Sequence, residues 1–167
     1  NTDFKPSANP SIGPSAITSV TLANCLLSRL SLAYEDGKCV LTYGSYIYHP
    51  MGVRGVEPSE YPSEVIKNNA YRQDKWRASH LRSFKYKLWK HLDPDYLQDD
   101  YGDFYKTAYD QAMMLPLLEM ASDKSFFIND VLYVYNKENP LNVDKIKAIV
   151  QYETMLEIRK KEPCKPL

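Results

Sequence analysis

Charge of one sign, long apolar runs and targeting signals are all missing from this sequence. Lysine and arginine number 21, and aspartate and glutamate also number 21, which gives a formal net charge of zero. No long-range field therefore draws the chain to nucleic acid or to an acidic membrane. No apolar run reaches the roughly 18 residues of a membrane span, and no signal sequence opens the chain. We expect a cytoplasmic protein that does not bind nucleic acid, and leave peripheral association with a membrane open.

Cysteine, histidine and the common catalytic signatures are also scarce. The three cysteines, Cys25, Cys39 and Cys164, have no C-x-x-C spacing, which favours reduced thiols over a disulfide frame or a zinc site. The three histidines are not spaced as a metal cluster. Glycine-rich phosphate and dinucleotide loops, HExxH and GxSxG are absent. These absences remove the usual signatures of nucleotide-binding loops, zinc proteases and serine hydrolases.

What the sequence does contain is a chain of single-domain size with many aromatic residues. Its 167 residues are 44% hydrophobic and 25% charged, which is ordinary for a globular protein with a real core. Fourteen of them are tyrosine. A tyrosine offers a flat apolar face with a hydroxyl tip, which suits recognition of a sugar or a base, and equally suits a half-wet core.

The amino-terminal half divides into a lead-in, a helix, a strand and a long loop. Residues 1–17 carry three prolines and predict an irregular lead-in. A helix is predicted from Thr18 or Ser19 to about Tyr34, and a strand over residues 38–48, in which Gly44 indicates a bulge or the close approach of another group. Residues 49–74 show no sustained period and predict a long loop, of the kind that often forms a binding loop or lid.

The carboxyl-terminal half predicts three helices and two short strands. One helix is expected from Trp76 to about His91, followed by an acidic connector over residues 93–103. Residues 126–128 and 131–135 read as short strands. A last helix is predicted over residues 142–161, with one stripe formed by Ile146, Ile149, Leu156 and the stem of Glu153. Residues 162–167 form a tail that contains two prolines.

The stretch around which this half is organised runs from Phe104 to Ala121. Apolar residues recur at helical spacing and predict a helix with one buried face, formed by Met113, Met114, Leu117, Leu118 and Ala121. Asp110 stands where the run begins, where a carboxylate suits the exposed N–H groups of a helix start. Pro116 predicts a kink or a late start. From this stretch alone, Asp110 is a residue that starts a helix.

Four strings of residues in one order resemble a known family. They are Leu41–Tyr46 (LTYGSY), Trp76–Phe84 (WRASHLRSF), Tyr109–Glu119 (YDQAMMLPLLE) and Leu132–Asn136 (LYVYN). Together they resemble the carboxyl-terminal half of the family-2 glycosyltransferases, which have the GT-A fold, over roughly residues 20–145. The resemblance implies an α/β fold for residues 18–161, namely a partial GT-A-like (Rossmann-like) mixed sheet flanked by helices that lacks much of the nucleotide-binding half.

The resemblance also implies a chemistry, the inverting transfer of a sugar from a nucleotide-sugar to a hydroxyl acceptor on a glycan, a protein or a lipid. An aspartate at the position of Asp110 is the general base of that family. The substrate-binding residues that match are Trp76, Arg77, His80, Arg82 and Tyr109. A divalent metal, manganese or magnesium, normally offsets the charge of the departing diphosphate on a D-x-D motif, and here only Asp3 echoes the end of such a motif.

Two further interpretations stay open beside the transferase. In the family the nucleotide-binding half precedes the LTYG strand, and only about forty residues precede it here. For the transferase, a second chain would have to supply this half. The two other interpretations are a non-catalytic remnant of the fold that serves as an interaction or structural module in a larger assembly, and an unrelated α/β binding domain.

Overall fold

The computed structural model describes residues 19–55, 57–140 and 148–167. The predicted lead-in, with Asp3, and the first part of the predicted last helix lie outside these residues. The α-helices described are α1 (Ser19–Tyr34), α2 (Ser63–Lys67), α3 (Tyr86–His91), α4 (Tyr109–Ala121) and α5 (Ala148–Lys160). The strands are β1 (Leu41–His49), β2 (Val53–Arg54), β3 (Ser79–Phe84) and β4 (Ser125–Asn136). Short 3₁₀ helices cover Pro94–Leu97 and Ser122–Lys124. No helix in the described ranges is long and apolar enough to cross a membrane.

Strand β1 is the centre of an open, mixed four-stranded sheet within the described residues. β4 runs parallel to β1 over its whole length, from the Leu41–Ser125 pair to the His49–Asn136 pair. β4 therefore takes one edge of β1, and the antiparallel strands β3 and β2 share the other. The α/β class and the flanking helices that the sequence predicts are confirmed.

Gly44 is the point where β3 comes closest to β1. The register between the two strands shifts between Thr42 and Gly44. A Cβ atom at Gly44 would lie 3.1 Å from the backbone nitrogen of Leu81 and 3.3 Å from the carbonyl oxygen of His80. Glycine is therefore needed here for close approach of the two backbones, as the sequence predicts.

The two faces of the sheet are covered by different helices. Tyr43 belongs to the core cluster that contains α4, whereas the Thr42 hydroxyl meets the hydroxyl of Ser83, which also meets Tyr34 of α1. Neighbouring residues of a strand point to opposite faces, so α1 and α4 lie on opposite sides of β1. The predicted bounds of α1 and β1 are confirmed to within a few residues.

Helix α4 is the core helix of the protein. It begins at Tyr109 and runs through Pro116 to Ala121, so it has no late start. From Met114 onward every residue is buried, which makes the predicted single buried face too narrow. Burial on all sides is typical of a helix enclosed by other elements. Here α3, α5, the sheet and the segment around Tyr61 and Tyr71 enclose it.

The helix predicted from Trp76 is wrong over its first half. Residues 79–84 form β3, and only Tyr86–His91 are helical. The apolar residues there fit a helical period, but β1 offers a free edge, and Ser79, Ser83 and Phe84 pair with it. Pairing in the sheet outweighs a weak local preference.

Three smaller predictions also need correction. The segment predicted as a structureless loop contains β2 and α2. The two short strands after α4 are one strand, β4, which is interrupted by shifts in its register against β1. In α5 the predicted inward stripe faces solvent, since Ile149 is 75% and Leu156 is 40% exposed. The face that turns inward is formed by Gln151, Thr154, Met155 and Ile158.

A buried ion pair joins the elements around α4. The Arg72 guanidinium contacts the Glu119 carboxylate at 2.6 Å (Nε–Oε1) and 3.0 Å (Nη2–Oε2), and both side chains are almost fully buried. Arg72 also donates to the Ile158 carbonyl of α5 at 2.6 Å, and the N–H of Cys164 donates to Glu119 at 2.8 Å. The tail, helix α5 and the segment before β3 are thereby fastened to α4.

We expect Arg72→Met to lower the free energy of unfolding by about 3–5 kcal/mol, because the Glu119 carboxylate would stay buried without its partner. The double variant Arg72→Met/Glu119→Leu should regain part of that loss, since it leaves no unpaired charge. Urea denaturation measures both. The matched control is the exposed pair Arg29–Asp130, where Arg29→Met should cost less than about 1 kcal/mol. A loss that small for Arg72→Met would contradict the structural role of the pair.

Candidate functional site

Asp110 and Arg82 form the polar centre of the candidate site. Asp110 lies in the first turn of α4, and Arg82 lies on β3. Arg82 Nη2 donates to Asp110 Oδ2 at 2.9 Å. The Asp110 side chain is 31% exposed, against 12% for Arg82. The arginine is held inside, and the carboxylate reaches the surface.

The start of α4 leaves the Asp110 carboxylate available for this contact. Ala108, which precedes the helix, has a φ of +49°, in the left-handed region that non-glycine residues rarely adopt. Its carbonyl accepts hydrogen bonds from the N–H groups of Gln111 and Ala112 at 2.9 and 3.1 Å. Asp110 is in the first turn of the helix, as predicted, but its carboxylate forms an ion pair with Arg82 of β3. Backbone strain of this kind is frequent at functional sites.

Arg82 is fixed from three directions. Besides Asp110, its Nε donates to the Ala78 carbonyl at 2.8 Å, and its guanidinium carbon lies 5.7 Å from the centre of the Trp76 ring. Stacking on an aromatic face is a favourable position for a guanidinium. Trp76, Arg82 and Asp110, predicted from separate strings, are therefore brought together.

His80 lies beside this pair. Its ring stacks on Tyr133 with centroids 4.4 Å apart and lies 6.3 Å from Tyr46. Burial lowers the pKa of His80 to about 4; the charge of Arg82 adds to the shift and that of Asp110 opposes it. The imidazole is therefore neutral at physiological pH.

The other two predicted binding residues lie apart from the pair. Arg77 forms a bidentate ion pair with Asp74, at 2.5 Å and 3.2 Å, and donates to Ser59 at 2.9 Å. The Arg77 hydrogen bond lowers the pKa of Asp74. This arginine braces the segment between β2 and β3. Tyr109 begins α4 with its ring largely exposed. A binding role for either residue stays a prediction.

A cleft of about 540 Å³ opens next to the pair. Trp76 and Gln111, the neighbour of Asp110 in α4, line it together with Met155 and Arg159 of α5, whereas Asp110 and Arg82 themselves are not among the lining residues. The remaining lining comes from the segment before β3 and from Glu57. A cleft with an aromatic wall and a few fixed polar groups has the character of a site for a small molecule.

The sequence prediction missed the contribution of α5. It placed the inward stripe on Ile149 and Leu156, which turned attention away from Met155 and Arg159. A helical stripe through Gln151, Thr154, Met155 and Ile158 was equally readable from spacing. It would have put Arg159 beside the core.

The predicted metal ligand cannot be placed, because Asp3 lies outside the described residues. Within the ranges that are described, no group of three or more histidine, cysteine, aspartate or glutamate side chains could hold a metal ion. Manganese or magnesium stays a prediction from the resemblance, and the steps below use the residues of this chain.

Comparison with known proteins gave no relative: no family model, no curated protein and no solved structure matches the chain.

We expect His80 to make stability depend on pH between about 6.5 and 4. In that window the unfolded chain takes up a proton on His80 and the folded chain does not, so the free energy of unfolding falls as the pH falls. His80→Gln should flatten the profile measured by urea denaturation at several pH values. His91→Gln, at an exposed histidine, is the control and should leave the slope unchanged. Equal slopes for the wild type and His80→Gln would show that His80 is not the group responsible.

Proposed function

We propose that this chain is the acceptor-binding, base-carrying part of an inverting glycosyltransferase that uses a nucleotide-sugar donor. The observation that carries the proposal is the Asp110 carboxylate, which is fixed through Oδ2 by Arg82 and partly exposed beside the Trp76 cleft. Arg82, its partner in the described structure, is itself held by Ala78 and Trp76. A base that is held in position and can still be reached is what general base catalysis requires.

The proposed step is a single displacement. Oδ1 of Asp110, to which no described residue donates a hydrogen bond, accepts the proton of the acceptor hydroxyl. The acceptor oxygen forms a bond to the anomeric carbon of the donor sugar, and the bond from that carbon to the diphosphate oxygen breaks. The proton ends on Asp110, and the electron pair leaves with the nucleoside diphosphate. Attack opposite the leaving group inverts the anomeric configuration.

Trp76 and His80 support the acceptor side of this proposal. The Trp76 ring lines the cleft and Arg82 lies over it, so the ring offers a sugar in the cleft an aromatic face that adjoins the Arg82–Asp110 pair. His80 is neutral at physiological pH because its pKa is low, and it therefore does not add a second positive charge next to the Asp110 carboxylate. One carboxylate then serves as the base, and the neighbouring groups position it.

The GT-A-like part of the proposal is supported by the sheet and by the order of the four strings along it. LTYG lies in β1, the WRASHLRSF string runs into β3, YDQAMM opens α4 and LYVYN ends β4. Strands β1 and β3 and the start of α4 converge on the site. The donor site belongs to the nucleotide-binding half, which we propose comes from a second chain.

A second candidate function is a non-catalytic interaction module built on the same fold. The feature that favours it is the apolar surface of α1, where Leu27 and Leu32 are 62% and 59% exposed. Exposed apolar residues mark an interaction surface where they form one contiguous patch. This candidate requires no transfer by Asp110.

We expect Asp110→Asn to lower sugar transfer by about 100-fold or more, the usual scale for loss of a general base, while folding stays intact. Transfer is measured with a panel of nucleotide-sugars, mixed acceptors and manganese. Asp103→Asn is the matched control, because the same change is made at an exposed aspartate of the acidic connector. The control should transfer like the wild type.

Thermal denaturation of each variant separates chemistry from folding. Equal transfer by Asp110→Asn and the wild type would contradict the role of Asp110 as base. An unfolded Asp110→Asn would show that the contact with Arg82 is structural. A folded wild type that transfers no sugar even together with the chain that supplies the nucleotide-binding half would favour the interaction module.

A further inference from the structure

Arg159 is a half-buried guanidinium without an acidic partner. Its Nε donates to Gln111 Oε1 at 3.2 Å, and its Nη1 donates to the carbonyl oxygens of Arg72 and Asp74 at 2.8 and 2.6 Å. Within the described part of the chain, its Nη2 donates to no acceptor, and no carboxylate lies within 4.0 Å of the group. Neutral oxygens hold the guanidinium in place and leave its charge uncompensated.

Most of the other charged side chains around the cleft are paired with an opposite charge. Arg72 is paired with Glu119, and Asp74 is paired with Arg77. What remains on the cleft wall is Arg159 together with Lys75 and Glu57, both of which are exposed to solvent. Water screens the charges of the exposed Lys75 and Glu57 strongly, and it screens the charge of the half-buried Arg159 much less. Arg159 is therefore the half-buried charge of the cleft lining that has no oppositely charged side chain in contact.

Arg159 is linked to the candidate base through one side chain. Gln111, which accepts its hydrogen bond, follows Asp110 in α4 and also lines the cleft. Trp76 lines the same cleft and stacks on the arginine that holds Asp110. A small molecule in the cleft could therefore contact Arg159, Gln111 and Trp76 together.

We propose that Arg159 binds an anionic group of the sugar acceptor, so that the acceptor of this protein is an acidic sugar carrying a carboxylate or a phosphate. A guanidinium with a free N–H edge matches the oxygens of either group. That the ligand is a sugar acceptor rests on the proposed function. That it is negatively charged rests on the geometry of Arg159.

The burial of Arg159 also favours a negatively charged ligand. It lowers the pKa of Arg159, because the charged guanidinium loses part of its hydration; Tyr61 and the Asp74 carboxylate, which is not in contact, oppose the shift, and Arg72 adds to it. An anion in the cleft would stabilise the charged guanidinium and offset its lost hydration. The residue is thereby prepared for a negative ligand.

The test measures binding with Trp76 as the reporter. The chain has two tryptophans, so the Trp89→Phe background leaves Trp76 as the sole tryptophan, inside the cleft. Glucuronate, glucose 6-phosphate and glucose are titrated separately into the full chain. We expect the carboxylate or the phosphate sugar to bind at least about 10-fold more tightly than glucose, which is the scale of a charged hydrogen bond. The difference between the two acidic sugars identifies the group.

Variants separate charge from structure. In Arg159→Gln the preference for the acidic sugar should disappear, whereas Arg159→Lys should keep part of it because the charge remains. Lys75→Gln, at the exposed lysine of the same cleft, is the matched control and should change the preference by less than about 3-fold. Thermal denaturation confirms that each variant is folded. Equal binding of glucose and both acidic sugars to the wild type, or an unchanged preference in Arg159→Gln, would overturn the proposal.

The failure of this inference and the failure of the proposed function give different results. Equal transfer to neutral and acidic acceptors, abolished by Asp110→Asn, would overturn the anion site and leave the transferase. Selective binding of an acidic sugar by a chain that transfers no sugar, even together with the chain that supplies the nucleotide-binding half, would overturn the transferase and leave the anion site.

Discussion

The buried pair of Arg72 and Glu119 is the contact on which the rest of the site depends. Burial raises the pKa of the Glu119 carboxyl, while Arg72 and the N–H of Cys164 oppose that shift by stabilising the charged form. Two buried charges are tolerated only when their contact and extra hydrogen bonds repay their lost hydration. Here Arg72 Nη2 and the N–H of Cys164 donate to Glu119 Oε2, whereas Arg72 Nε and Glu119 Oε1 are in close contact without the geometry of a hydrogen bond. The pair also has consequences at a distance. Arg72 precedes Trp76 in the same segment, Glu119 lies in the helix that opens with Asp110, and the carbonyl of Ile158 that Arg72 holds is next to Arg159.

The ion pair thus holds together the three elements that line the cleft, namely the segment before β3, helix α4 and helix α5. The position of Arg82 is set by pairing in the sheet, because the close approach at Gly44 brings β3 against the central strand β1. Each side chain of the site is then held by a neighbour: Arg82 by Ala78 and Trp76, Asp110 by Arg82, and Arg159 by Gln111. This arrangement gives a partly exposed carboxylate, next in sequence to the cleft residue Gln111, and a guanidinium without a carboxylate in contact on the cleft wall. The proposed reaction and the proposed acceptor follow from these two groups.

Local patterns predicted α1, β1, the close approach at Gly44 and the existence of α4, because each has a clear period or a residue with a special conformational role. They failed where contacts between residues far apart in sequence determine the secondary structure. Residues 79–84 fit a helical period but form a strand, because β1 has a free edge that a short stretch of sequence does not show. In α5 two stripes were compatible with the spacing, and the buried one is set by the contacts of Ile158 and Arg159 with the segment before β3. Glu119 was overlooked because a carboxylate inside an apolar run has meaning only once its partner Arg72, far away in sequence, is known. The resemblance of four strings selected Trp76, Arg82 and Asp110, which the fold brings together, and it did not select Arg159.

The central claim is that Asp110 acts alone as a base in a single displacement at the anomeric carbon. The most direct measurement is the anomeric configuration of the first transfer product, determined by proton NMR before it can equilibrate, from a nucleotide-sugar of known α configuration. The account predicts a β-linked product. An α-linked product would contradict it, because retention requires a different mechanism from one base and one displacement.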